Sequence, residues 1–186
     1  MGVNSSPWPV GRTIETARLT LEPLRINHAD EMVSVLDDEG LYEFTGGQPM
    51  TLDELRDRYA IQAVGHSPDG AQGWLNWIVR QRATGLVIGT VQATLHDAGG
   101  ALTAELAWVI GSRHQGSGFA KEAAAAMLIW LRGHRVGSFT AHIRPDHAAS
   151  IAVARHLGLS IIDTVIDGEI SWASMATHPR TRRPPG

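Results

Sequence analysis

The segment Trp108-Val109-Ile110-Gly111-Ser112-Arg113-His114-Gln115-Gly116-Ser117-Gly118-Phe119-Ala120-Lys121 limits the fold more than any other part of the chain. Before it, Leu102, Ala104, Leu106, Trp108 and Ile110 alternate with Thr103, Glu105, Ala107 and Val109, the period of a strand. After it, Ala120, Ala123, Ala124, Met127, Leu128 and Leu131 recur at the spacing of one helix face. A strand that runs into a helix through Gly116 and Gly118 needs glycine's conformational freedom. The turn also leaves backbone N–H groups at the positive end of the helix dipole, a site suited to phosphate.

Two common phosphate motifs do not fit. Gly111 and Gly116 have the Walker spacing, but Ser117 stands where a lysine is required. The dinucleotide fingerprint needs a third glycine at position 121, which is Lys121, and residues 136–144 offer no acid for a ribose.

The rest of the chain reads as alternating elements. Leu19 and Leu21 mark a strand, Asn27 reads as the cap of a helix to about Leu36, and Thr51 with Glu54 forms a capping box for a second helix. Trp77 and Val79 lie in one strand, and Val87 to Leu95 in the next; Ala83-Thr84-Gly85 makes these two a hairpin. Phe139, Ala141 and Ile143 form a short strand. Asp146 reads as the cap of a helix that Gly158 ends, and two strands follow at 160–166 and 169–176. Antiparallel strands followed by strand–helix–strand–helix predict a single α/β domain with a mixed sheet. The expected divisions are an irregular lead-in at 1–15, the domain at 16–176 and a flexible basic tail at 177–186 carrying Arg180, Arg182 and Arg183.

A chain of 186 residues with a net charge of −3 does not have the basic footprint of a dedicated nucleic-acid binder. It has no cysteine for disulfides or thiol nucleophiles. No apolar run reaches membrane-spanning length and no signal pattern opens the sequence, so a cytoplasmic protein without membrane partners is expected. Nine histidines, none in a His-Glu-x-x-His arrangement, give no metal site. Of the tryptophans, Trp74 and Trp77 are candidates for an acceptor pocket and the others read as core.

Arg113-His114-Gln115-Gly116-Ser117-Gly118 meets an Arg/Gln-x-x-Gly-x-Gly/Ala pattern. Here the chain resembles the GCN5-related N-acetyltransferase (GNAT) superfamily. A second segment, His147-Ala148-Ala149-Ser150 leading to Leu157-Gly158-Leu159, resembles that family's Asn-x-x-Ser/Ala motif with its short helix. Thr16 to Leu24 resembles the branch containing ribosomal-protein N-terminal acetyltransferases. The resemblance implies a GNAT fold, with about seven strands in a mixed sheet and about four flanking helices.

It further implies acetyl-CoA as cosubstrate, no metal, and an amine acceptor that is either a small molecule or a protein N-terminus; a homodimer is compatible. Gln115, Gly116, Ser117, Gly118, Phe119 and Ala120 would hold the pyrophosphate through backbone N–H groups. Trp108, Val109 and Ile110 on a splayed strand would pair with the pantetheine arm. The N–H of Val109 would also hold the thioester oxygen, and His147 would touch the cofactor. Glu105, among apolar neighbours, would be the base, directly or through a water, and Ser150 the acid or hydrogen-bond donor at the sulfur. Two departures stand out: His147 replaces the usual Asn, and Ala154 replaces a tyrosine that many relatives use to protonate the thiolate. A non-catalytic acyl-CoA-binding domain and a different nucleotide binder are the alternative classes.

Overall fold

The computed structural model describes residues 8–174. The basic tail and the expected strand end at 175–176 lie outside the described residues, as do residues 1–7.

Eight strands form one sheet in the order β1-β2-β3-β4-β5-β6-β8-β7. Their ranges are β1 Ile14–Glu15, β2 Leu19–Pro23, β3 Gln72–Gln81, β4 Val87–Asp97, β5 Leu102–Ile110, β6 Val136–Ile143, β7 Leu159–Ile166 and β8 Glu169–Ser174. Neighbours are antiparallel except β5 and β6, which run parallel. The helices are α1 Ala29–Leu36, the one-turn α2 Tyr42–Thr45, α3 Leu52–Gln62, α4 Phe119–Gly133 and α5 Ala148–His156. A parallel pair requires a crossover, and α4 supplies it.

Because strand side chains alternate between faces, cross-strand register assigns each residue to a side. Leu75, Ala93 and Leu106 are aligned across β3, β4 and β5, as are Trp77, Val91 and Trp108. This face packs on Ala123, Ala124, Met127, Leu128 and Leu131 of α4 and on Val153 and Ala154 of α5. The other face carries Ile78, which joins Met32, Leu55 and Tyr59 beneath α1 and α3. The polar rows Asn76–Gln92–Ala107 and Trp74–Thr94–Glu105 lie on that second face.

The expected seven strands are eight, because the lead-in joins the sheet: Ile14–Glu15 pairs with β2, and Trp8 is buried with its Nε1–H donating to the Gly70 carbonyl at 3.3 Å. The box at the start of α3 forms as read, with the Thr51 N–H donating to Glu54 Oε2 at 2.8 Å and the Glu54 N–H to Thr51 Oγ1 at 3.4 Å. Two caps do not. Asn27 sits inside a 3₁₀ turn, Ile26–His28, in which His28 Nδ1 accepts the Arg25 N–H at 3.0 Å. Asp146 is held by Arg144 at 3.1 Å, so His147 takes the cap position of α5 without a side-chain cap bond.

Candidate active site

The sheet opens in its middle. β5 and β6 are paired from Leu102–Val136 to Glu105–Thr140; beyond that, β6 pairs only with β8. Leu106 to Ile110 therefore run along a gap. The Gly111 N–H donates to the Ile88 carbonyl at 2.9 Å. The alternation of an antiparallel ladder then turns the backbone groups of Val109 and Ala107 towards β4, and those of Trp108 and Leu106 towards the gap. The Ile110 carbonyl, on the gap side, accepts from Gln115 Nε2 at 2.9 Å. The expectation that the Val109 N–H reaches an acyl oxygen is thus corrected: Trp108 carries the N–H on the open side. At Gly89 a Cβ would collide with the Val109 carbonyl oxygen, so only glycine allows β4 and β5 this close an approach.

A cavity of about 700 Å³ occupies the gap and passes through the sheet. Leu106, Trp108, Val153 and Ser150 line it from the α4/α5 face, and Ala107, Asn76, Thr90, Gln92 and Tyr59 from the α1/α3 face.

One end is the start of α4. Gly116 and Gly118 have φ of 76° and 79°, the left-handed region that glycine enters cheaply. The first helical bond runs from the Glu122 N–H to the Gly118 carbonyl at 3.1 Å, which leaves the N–H groups of Phe119, Ala120 and Lys121 without helical acceptors. Gln115 spends its own N–H on Ser112 at 3.3 Å. The donors available to an anion therefore run from Gly116 to Lys121, one step later than the sequence reading of Gln115 to Ala120. His114 and Lys121 add basic side chains to this end.

The loop is fastened from below. Arg18 donates Nε to Glu122 Oε2 at 2.6 Å and Nη1 to the Ser117 carbonyl at 3.0 Å, and its guanidinium lies 4.6 Å from the Phe119 ring centre. Thr16 Oγ1 donates to the same carboxylate at 2.6 Å. Burial would raise the Glu122 pKa, but the hydrogen bonds from Thr16 and Arg18 outweigh it and hold the group below its ordinary value.

Trp108, Val109, Ile110, Gln115, Gly116, Gly118, Phe119, Ala120, His147 and Ser150 all line the cavity. Ser117 and Glu105 are not among its lining residues. Ser117 turns its carbonyl to Arg18. Glu105 sits at the apex of the gap with its side chain half exposed, 3.9 Å from His142 Nε2, rather than in the apolar setting expected of it. Burial lowers the His147 pKa, so its ring favours the neutral form. Ser150 is half-buried on α5, and Ala154 is wholly buried in the core instead of facing the gap. Trp77 is also core, its Nε1–H donating to the Arg12 carbonyl at 2.8 Å, whereas Trp74 lines a side groove next to the main cavity.

Sequence reading passed over Tyr42, Tyr59, Asn76, Thr90 and Gln92, all of which line the cavity. Burial pushes the Tyr59 hydroxyl up to about 12, so it stays a proton-bearing donor at neutral pH. Tyr42 donates its hydroxyl to the Leu36 carbonyl at 3.1 Å. The two tyrosines carry no local signal. Asn76, Thr90 and Gln92 do: they are uncharged polar residues in the middle of otherwise apolar central strands. Among the described residues, no group of three His, Asp or Glu side chains is placed to hold a metal, and no helix is long and apolar enough to cross a membrane.

A strand that separates from its parallel neighbour beside a glycine-started helix defines an acyltransferase architecture of the GNAT type. Residues 18–160 match the model of the acetyltransferase (GNAT) domain family, and the chain belongs to that family. The fold is shared with RimL, the ribosomal L7/L12 α-N-protein acetyltransferase, in complex with coenzyme A: TM-score 0.72, 17% identity, 89% of this chain and 98% of that one. It is shared also with the acetyltransferase from Salmonella typhimurium that modifies the N-terminal serine of L7/L12: TM-score 0.69, 16% identity, 88% and 99% coverage. Uncharacterized protein YkkB of Bacillus subtilis (strain 168) is 30% identical over 90 residues, 48% of this chain. The chain spans about half the length of that curated relative, 52%.

Proposed function

We propose that acetyl-CoA enters from the α4 side, with its pyrophosphate on the N–H groups of Gly116 to Lys121, and that the amine reaches the thioester from the α3 side. The observation that carries this reading is the cavity that crosses the sheet between β5 and β6, with a helix start at one mouth and polar strand residues at the other. An extended pantetheine arm can take the Trp108 backbone as a strand partner along the gap. The ammonium form of the acceptor gives one proton to Glu105, directly or through a water, and the neutral amine so formed attacks the thioester carbonyl carbon. The C–N bond forms, the C–S bond breaks, the nitrogen passes its second proton to solvent water, and the thiolate takes one up from water or from Ser150, which regains it from solvent. The Trp108 N–H is the donor on the open side for the oxygen as charge develops there. The acceptor is a small-molecule amine or a protein N-terminus, and the cytoplasm, where acetyl-CoA is met, is the proposed location.

The test is release of free thiol from acetyl-CoA with a panel of primary amines, together with calorimetric binding of CoA. Tight CoA binding without thiol release for any amine would leave only an acyl-CoA-binding domain.

A further inference from the structure

The acceptor side carries a charge pattern that narrows the amine, given the transferase reading above. A second cavity of about 450 Å³ lies between α3 and strands β3 and β4. It shares Arg58, Gln62, Asn76 and Gln92 with the main cavity, so the two are continuous. Its remaining lining is Ile61, Trp74, Ala93 and Thr94. Among the described residues, no carboxylate lines this groove, and one lines the main cavity, Glu169 on β8.

Among the described residues, Arg58 is the one charged residue common to both cavities. Among the described residues, no carboxylate lies within ion-pair distance of it; its recorded partner is the Met50 sulfur, 3.9 Å from Nη1. Arg56, two positions earlier on the same helix, is occupied by Asp30 at 2.6 Å and Asp53 at 3.5 Å. Trp74 and Thr94 lie in the groove floor, and Glu105 continues their row on β5, outside the lining. Glu105 stands two strands from Trp74, roughly 10 Å across the sheet. The groove therefore presents a guanidinium on its wall with amide and hydroxyl groups beside it, and Glu105 lies one strand beyond its floor, next to Thr94.

We infer that the acceptor is a small zwitterionic amine, whose ammonium group goes to Glu105 and whose anionic group, a carboxylate or a phosphate, pairs with Arg58. Arg58 has two parallel N–H donors for such an oxyanion. A polyamine would place a second cation against Arg58 and find no acid in the groove.

The experiment measures kcat/KM for acetyl transfer to matched pairs that differ in the anion: β-alanine against propylamine for the carboxylate, and 2-aminoethyl phosphate against ethylamine for the phosphate, with spermidine as the polycation. The expected result is a preference of at least tenfold for one anionic member over its neutral partner. That preference falls about tenfold or more in Arg58→Glu and persists in Arg56→Ala. The pair showing the larger preference identifies the anion. Calorimetry with β-alanine and 2-aminoethyl phosphate on the CoA-loaded protein gives the same order without turnover, and Arg58→Glu removes that binding. Equal rates within both pairs, a preference untouched by Arg58→Glu, or spermidine as the best acceptor would each overturn the inference and leave acetyl transfer intact. Failure to acetylate any amine would instead remove the transferase reading, and this inference with it.

Discussion

Glu105 and Thr140 are the last residues at which β5 and β6 face each other in register, so the carboxylate stands where the sheet begins to open. A side chain there reaches the gap only from its apex, and Glu105 is not among the cavity's lining residues. This position suits proton transfer through an intervening water as well as direct contact. Replacing Glu105 by Gln should lower acetyl transfer at neutral pH by about 10² to 10³, within the usual range for a general base, with little change in CoA affinity. The loss should shrink at high pH, where the amine is already neutral. Unchanged turnover in a folded variant would return Glu105 to being an exposed carboxylate.

Gly118 caps α4 in the left-handed region, and nothing but the Arg18 side chain, at 3.6 Å, would meet a Cβ there. The constraint is the backbone angle and not space. A β-branched residue at φ of 79° is strained by roughly 1–2 kcal/mol, or forces the turn to reshape. Gly118→Val should therefore weaken acetyl-CoA binding about tenfold or more by calorimetry, and Gly118→Asn, which tolerates that angle better, should weaken it less. Equal affinities for wild type and the valine variant would remove this loop from the cofactor site.

The cofactor half of the site was legible because its geometry is local. Two glycines, a period change from two to 3.6 and the strand before them are all contained in residues 102–131. The half beneath α3 was not, because α3 is placed by packing on Ile78 of β3 and Val87 of β4, far along the chain. Tyr59 enters the cavity through a contact with Ile78 and Met32 that no sequence period announces. The failed caps have a similar cause. Asn27 and Asp146 have the right chemistry, but His28 accepts the Arg25 N–H in place of an Asn27 cap, and Arg144 engages the Asp146 carboxylate.

Ser150 and Ala154 sit on the same helix and divide in fate. Ser150 faces the cavity, while Ala154 has no exposed surface and packs in the core. Ser150→Ala should cost about tenfold in turnover, the size expected of one lost hydrogen bond of about 1 kcal/mol. Ala154→Tyr cannot restore the tyrosine that relatives carry, because the ring has no room. It should overpack the interface of α5 and destabilise the protein by about 1–3 kcal/mol, read from thermal melting, with no gain in rate. A stable Ala154→Tyr variant with raised turnover would show that α5 can shift to expose this position. Complete loss of activity in folded Ser150→Ala would make the serine obligatory.

His28 is buried, accepts the Arg25 N–H through Nδ1 and faces Glu22 through Nε2 at 3.3 Å. Arg80 binds Glu22 at 2.8 Å and Glu31 at 2.8 Å, so the groups around the ring are Glu22, Glu31, Arg80 and Arg25. Burial lowers the His28 pKa below the ordinary 6.5, more than Glu22 raises it. The folded imidazole is therefore neutral at a pH where the unfolded one has already taken a proton. Stability is full above the unfolded value and declines as the pH falls through 6.5, until the folded pKa is reached; one proton gives at most about 1.4 kcal/mol per pH unit. His147 acts with the same sign, since burial lowers its pKa too. Glu22 and Glu31 act in a separate, more acidic window: the Arg80 bonds lower their pKa values, and their stabilisation is lost as pH falls from about 4.5 through those lowered values. Urea unfolding at pH 7.5 and 5.5 should show a clear loss of stability at the lower pH. His28→Gln, which carries no titrating ring, should lose part of that slope, with the remainder left to His147. Identical slopes for the two proteins would mean that His28 protonates in place, with Glu22 accepting it as an ion pair.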